Sequence, residues 1–215
     1  LIVWGEDREQ AIALMRQALA ATQVVGVNTN IAFLGRLMNN TAFMTADLDT
    51  GLIEKNTEQL LPAHKPAKES TLACLLAALL AERGRTQTHK HSHQYSADPW
   101  CYNDTWRVSS QYSQQWLALD QDLEYKLQLS REDKRYQFKV GEQAYDFEWR
   151  VEVDDNTYEC QIVLNGSNHK ASVILHDHHA YVFQQGVVTV IELPNELQAA
   201  GEESGHGGGL AAPMP

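Results

Sequence analysis

Cysteine is scarce: 215 residues hold three, Cys74, Cys101 and Cys160, far apart and without a C-x-x-C pair. An odd, dispersed set provides neither a disulfide framework nor a four-thiolate metal site, and it reads as reduced thiols. Basic residues are short too, with 17 Lys and Arg against 28 Asp and Glu and a net charge of −11. A nucleic-acid binder shows a basic face, so this balance argues against that class and mainly favours solubility. No apolar run reaches the roughly 20 residues that cross a bilayer, and the first residues lack the charged and apolar regions of a secretion signal. The expectation is a bacterial cytoplasmic protein with no membrane partner. An initiator Met is missing as well, and Leu1-Ile2-Val3-Trp4 opens in mid-strand, so a piece of a longer protein is expected.

What is present is organised around Pro66 to Arg83, PAKESTLACLLAALLAER. From Leu72 to Ala81 a helix would be apolar on every side, and such a helix needs protein all round it. Ten residues are too few to span a membrane. Pro66 suits a first helical turn and Gly84 suits the position just past the end. The spacing predicts a helix of about five turns with Leu72, Cys74, Leu75, Leu76, Leu79 and Leu80 buried.

Upstream, Leu1 to Trp4 reads as a strand end. Ile12, Met15 and Leu19 follow at helical spacing after Glu6-Asp7-Arg8. Gln23 to Val27 reads as a second strand, and Asn28-Thr29-Asn30 as capping for a second helix with Ile31, Phe33, Leu34, Leu37 and Met38. This βαβα run, residues 1–55, is too small to stand alone. Residues 56–65 read as a polar connector. After Gly84, Arg85 to Thr105 reads as a long irregular stretch that ends in DPWCYNDTW. A loop of this length is disordered or used, and Tyr95, Trp100, Tyr102 and Trp106 argue for use.

From Trp106 onward the chain reads as short strands near 106–109, 113–119, 122–129, 134–140, 143–153, 158–164, 169–176, 180–184 and 187–193. Asn165-Gly166 is the strongest hairpin signal among the breaks. Alternation is clean in Phe147-Glu148-Trp149-Arg150-Val151-Glu152-Val153, giving one apolar and one charged face. About eight such antiparallel strands close into a barrel to remove their edges. The expected fold is therefore α+β: an antiparallel β-barrel of about eight strands around a long central helix, residues 66–195, behind the small βαβα piece. Glu196 to Gly209 reads as a flexible linker, and residues 210–215 as the start of another domain.

Three stretches together resemble one family, the biotin-containing α subunits of biotin-dependent acyl-CoA carboxylases of the 3-methylcrotonyl-CoA type. LIVWGEDREQAIALMRQALA followed by VVGVNTNIAFLGRLM is similar to the C-terminal subdomain of biotin carboxylases. GGGLAAPMP is similar to the opening of a biotinyl carrier domain. The helix plus strands between them resemble the family's interaction (BT) domain. The resemblance implies that the helix sits inside the barrel and that the domain joins biotin carboxylase to the carboxyltransferase β subunit. It also implies that the loop before the first strand contacts that subunit, which selects Asp98, Pro99, Trp100, Tyr102 and Trp106. The parent enzyme would use ATP, Mg and biotin. The family's ATP-grasp residues lie upstream of the matched segment and the biotinyl Lys downstream, so the resemblance assigns no catalytic, cofactor or metal residue to this chain. Geranyl-CoA and propionyl-CoA carboxylase α subunits are the close alternatives.

Other readings are weaker. His89, His91 and His93 alternate, as do His176 and His178, yet neither set has the spacing of a known metal site. Cys101 has no base and orienting acid beside it in sequence. Glu124, Glu148, Glu152, Asp154 and Asp155 read as the wet face of strands rather than an acid and base pair. Asn39-Asn40-Thr41 matches a glycosylation acceptor only by accident in a cytosolic protein. A small-ligand barrel stays open as an alternative, and the helix decides it: a filled barrel leaves no cavity.

Overall fold

A computed structural model describes residues 1–90, 112–132 and 135–194. The long helix, α6 (Glu69–Lys90), runs for 22 residues. It threads a closed barrel of eight strands: β1 (Tyr112–Asp120), β2 (Leu123–Glu132), β3 (Arg135–Val140), β4 (Gln143–Asp154), β5 (Thr157–Leu164), β6 (Ser167–His176), β7 (His179–Gln184) and β8 (Val187–Glu192). Consecutive strands pair antiparallel all the way round, and β8 closes antiparallel on β1. The expected barrel around a helix is therefore the observed fold. The expected run at 106–109 lies outside the described residues.

Alternation explains the wall. Tyr158, Cys160, Ile162 and Leu164 of β5 point inward and are buried, while Glu159 and Gln161 between them are exposed. Tight turns keep the sheet continuous. Asn165 and Gly166 take φ of 46° and 81°, and Gln185 and Gly186 take 52° and 76°; paired positive φ is what a type I′ hairpin requires. Asn165 Oδ1 also accepts the Asp146 N–H at 2.8 Å.

Eight strands ordinarily enclose little more than their own side chains. Stagger makes the extra room. Closure joins β1 to β8 by the pair Leu119↔Glu192, so the far end of β1 meets the far end of β8 rather than its own start. Stagger, tilt and barrel size are linked, and the offset widens the barrel enough to admit a helix.

Leu72, Ala73, Cys74, Leu75, Leu76, Ala77 and Ala78 are all 0–1 % exposed. The helix is apolar all round because strand side chains surround it. Leu79 and Leu80 are partly buried against the same core. Two boundaries differ from expectation. Pro66 precedes the helix instead of opening it, and the first helical residue is Glu69. Gly84 does not end the helix. Glycine costs only about 1 kcal/mol inside a helix, and the next residue, Arg85, is held by bonds to Glu82 and Asp155, so the turn propagates to Lys90. Part of the expected loop is thus helical.

The first sixty residues form α1 (Arg8–Ala21), α2 (Ile31–Met38) and three single turns, α3 (Thr41–Met44), α4 (Leu52–Lys55) and α5 (Thr57–Leu60). Asp7 caps α1 by accepting the Gln10 N–H at 2.8 Å. Asn30 occupies the cap position of α2 without a side-chain bond, unlike the capping expected of it. The strands expected at 1–4 and 23–27 do not form. A strand exists only when paired, and none of the described strands reaches them; Ile2 is 97 % exposed and Trp4 78 %. The stretch read as a polar connector carries α5, whose Leu60 is fully buried, and buried Asn40 donates to Asn56 and Gln59.

Candidate interaction site

The two ends of the barrel are chemically distinct. At the end where α6 enters, the Asp120 carboxylate is fully buried. Its Oδ2 accepts the Ala67 N–H at 2.9 Å, and His64 Nε2 lies 2.8 Å from Oδ1. The ion-pair distance is met, although Oδ1 receives no aligned hydrogen bond from the described residues. Lying at the amino end of α6, the charge also faces the positive end of the helix dipole, which favours an anion there. Across the same opening, Thr71 Oγ1 donates to Gln184 Oε1 at 3.0 Å.

At the exit, Glu82 is the hub. Tyr158 on β5 donates its phenolic O–H to Glu82 Oε2, and Arg85 Nε donates to the same oxygen at 2.9 Å. Arg85 Nη1 then reaches the Asp155 carbonyl at 2.9 Å in the β4–β5 turn. Burial, reinforced by the Glu82 carboxylate, pushes the Tyr158 phenol well up. Inside, burial raises the Cys74 and Cys160 thiols to about 12 each. They are inert core groups rather than nucleophiles.

Antiparallel alternation puts the turns after β2, β4 and β6 at this exit, together with the start of β1. The chain therefore leaves at Lys90 and returns at Tyr112 at one end of the barrel. Asp98, Pro99, Trp100, Tyr102 and Trp106 belong to the intervening stretch and lie outside the described residues, as does Cys101. The histidine sets do not converge. His89 is in α6, His91 and His93 lie outside the described residues, and His176 and His179 flank a two-residue turn that contains His178. Among the described residues no group of three His, Cys, Asp or Glu could hold a metal.

The helical layer rests on the outside of β6 to β8. Ser172 faces outward yet is 6 % exposed, because Gln23 covers it and accepts its hydroxyl at 3.1 Å. A Cβ on Gly186 would stand 3.1 Å from the Ala20 Cβ. Between this layer and the barrel runs a cleft of about 1110 Å³ lined by Leu19, Pro62, Asp120, Val188 and Val190 among others. A second, of about 520 Å³, lies beside Tyr136, Phe147 and Trp149 on β3 and β4.

Asp120, Gln184 and Glu82 went unremarked in the sequence, although each left a signal. Asp120 has the parity of Trp116 and Ala118, Gln184 that of Ala180 and Val182, and Glu82 falls at helical spacing from Leu75 and Ala78. A polar residue on an apolar register is the sign of a buried anchor.

Comparison with known proteins agrees with this architecture. A family model described as the biotin carboxylase C-terminal domain matches residues 1–55, and one described as the methylcrotonyl-CoA carboxylase α-subunit BT domain matches residues 70–195. The mitochondrial methylcrotonoyl-CoA carboxylase subunit α of Dictyostelium discoideum is 26 % identical over 100 % of this chain and 32 % of its own length. Its counterpart in Rattus norvegicus is 28 % identical over 100 % of this chain and 30 % of its length. Mitochondrial pyruvate carboxylase of Homo sapiens is 42 % identical over 32 % of this chain and 6 % of its length. The chain thus spans about a third of the length of the α subunits it matches. With a helix-filled barrel matched over more than half its length, the chain belongs to the methylcrotonyl-CoA carboxylase α-subunit BT-domain family.

Proposed function

We propose that this chain is the non-catalytic coupling part of the biotin-containing α subunit of an acyl-CoA carboxylase, holding biotin carboxylase to the carboxyltransferase β subunit. The observation that carries this reading is the filled barrel. Its interior is spent on its own helix, so its chemistry is that of an adaptor. A small-ligand barrel is disfavoured for the same reason. In this reading the parent protein uses ATP and bicarbonate to carboxylate biotin and passes the carboxyl group to 3-methylcrotonyl-CoA, as in leucine breakdown. Geranyl-CoA and propionyl-CoA are the alternative acceptors, and the β subunit decides among them.

The domain division belongs to the same proposal: residues 1–55 end the biotin carboxylase part, 56–65 connect, 66–195 form the interaction domain, 196–209 link and 210–215 open the biotinyl domain. A flexible link lets a tethered carrier sample both active sites at high effective concentration. Biotin, ATP and Mg are assigned to other parts of the parent, because by resemblance the ATP-grasp residues lie upstream of the matched segment and the biotinyl Lys downstream of it. No described helix is long and apolar enough to cross a membrane. The free buried thiols Cys74 and Cys160 support a reducing compartment, and a bacterial cytoplasm is the location proposed, although the relatives named above are mitochondrial.

Contact with the β subunit is placed at the exit end, on Asp98, Pro99, Trp100, Tyr102 and Trp106, because the chain leaves and re-enters the barrel there and aromatic anchors dominate interface energetics. The test is sizing chromatography with light scattering on this chain mixed with the β subunit encoded alongside its parent. A co-eluting complex weakened by Trp100→Ala and Trp106→Ala is expected. No complex under conditions where the complete α subunit binds would reduce the domain to a spacer.

A further inference from the structure

Strand β4 outruns one of its neighbours. Its pairing with β3 stops at Tyr136↔Phe147, whereas its pairing with β5 continues to Asp154↔Thr157. From Glu148 to Asp154 the strand is therefore paired along one side only. Asn165 donates its N–H to the Asp146 carbonyl at 3.1 Å and accepts the Asp146 N–H on its side chain. Even-numbered residues of β4 thus turn their main chain toward β5, and alternation sends the N–H and C=O groups of Trp149, Val151 and Val153 to the open side. No described strand pairs with them there.

An unpaired row of this kind is a template for another strand, and the side chains along it specify which. Residues 149–153 read Trp-Arg-Val-Glu-Val: apolar, positive, apolar, negative, apolar. Arg150 and Glu152 share the outer face, Nη2 to Oε1 3.2 Å, with side chains 77 % and 65 % exposed. Trp149 and Val151 lie on the other face, partly buried against the core, and Val153 beyond them is 43 % exposed. Laid antiparallel to itself about Val151, the segment sets each Arg150 opposite the Glu152 of the other copy. Each charge then has two neighbours of opposite sign, one on its own strand and one across. Trp149 faces Val153, and Val151 faces its own counterpart. Odd-numbered residues meet odd-numbered ones, as main-chain hydrogen bonding across this edge requires. Edges that stay single are guarded by proline or by charge that repels a second strand; this one has no proline, and its charges change sign at the self-complementary spacing.

We propose that the open edge of β4 is a self-association surface, on which a second copy of this chain adds its own β4 antiparallel, centred on Val151. This goes beyond the coupling role and does not depend on it. So short an edge buries far less than the roughly 1,200–2,000 Å² of a standard interface, so the dimer is weak and forms at high concentration.

The test is sedimentation equilibrium of the full chain over a concentration series reaching about 1 mM, where a weak dimer is populated. A reversible monomer–dimer equilibrium is expected. Arg150→Glu and Glu152→Arg, taken singly, put like charges opposite one another and should each raise the dissociation constant about tenfold or more. The two together recreate the alternating pattern with signs exchanged and should restore dimerisation. Because the double variant keeps the net charge of −11, recovery separates strand pairing from general repulsion. Val151→Pro removes an N–H that only the second copy uses, and should abolish the dimer with the far-UV spectrum unchanged. A chain that stays monomeric throughout overturns the proposal. So does a dimer that keeps parental strength in either single reversal or in Val151→Pro, since the contact then lies elsewhere, as on the exposed Ile2 and Trp4. Failure of the double reversal to recover what the single ones lose overturns it too.

Discussion

Asp120, at the end of β1, accepts the backbone N–H of Ala67, two residues before α6, across 2.9 Å and 53 positions of sequence. The bond fixes where the helix enters the barrel. It also supplies one acceptor to a backbone that has no helical partner yet. Asp120→Ala leaves that partly buried N–H without its acceptor, and should lower stability by about 1 kcal/mol, read as a fall in the thermal midpoint. An unchanged midpoint would mean that the helix is positioned by its apolar contacts alone.

Leu76 is fully enclosed between helix and wall. Leu76→Asp removes core volume and buries a charge with no partner, which together cost about 4 kcal/mol or more. That is a large part of the stability of a small domain. Circular dichroism should show the barrel unfolded or melting far lower. A variant with parental melting would place this helix outside the barrel.

Alkaline pH tests the same packing. The thiols of Cys74 and Cys160 rise from the ordinary value of 9.0 to about 12, chiefly through burial, and Tyr158 rises for the same reason. A raised acid holds its proton in the folded state after the unfolded chain has released it, so stability is full below pH 9 and is lost from there toward 12. Each thiol should contribute a slope of about 1.4 kcal/mol per pH unit in that window. Urea titrations at stepped pH should show it, and Cys74→Ala with Cys160→Ala should flatten it.

Gly186 tests how the helical layer sits on the barrel. Its φ is 76°, and an added Cβ meets Ala20 at 3.1 Å. Gly186→Ala should cost about 1 kcal/mol in the turn alone and should speed hydrogen exchange across residues 18–27. Exchange over Leu72 to Ala78 should stay slow. Equal acceleration of both would mean that layer and barrel unfold as one unit.

How far the sequence carried the fold depends on how local each signal is. The helix was legible because ten apolar residues in a row admit no solvent face, and most strands because alternation and turn residues are short-range properties. Asn165-Gly166 marked its own hairpin. The helix end at Gly84 was misread because Arg85 is held by Asp155, 70 positions away. The strands expected at 1–4 and 23–27 have β-like composition, yet composition cannot create a pairing partner. The single turns α3 to α5 are too short for any periodicity to appear. Asp120, Gln184 and Glu82 required knowing which strand faces look inward, and that information resides in the closed register of the barrel. The anchors proposed at Trp100 and Trp106 came from family resemblance and lie outside the described residues.

Hydrogen exchange of the full chain with and without the carboxyltransferase β subunit tests the coupling account most directly. The account predicts that added β subunit slows exchange in residues 91–111 and in the exit turns around Asp155 and Asp177, while the buried stretch of α6 remains slow throughout. Protection confined to the outer faces of β2 and β3, or none at all with a β subunit that binds the complete α subunit, would contradict it.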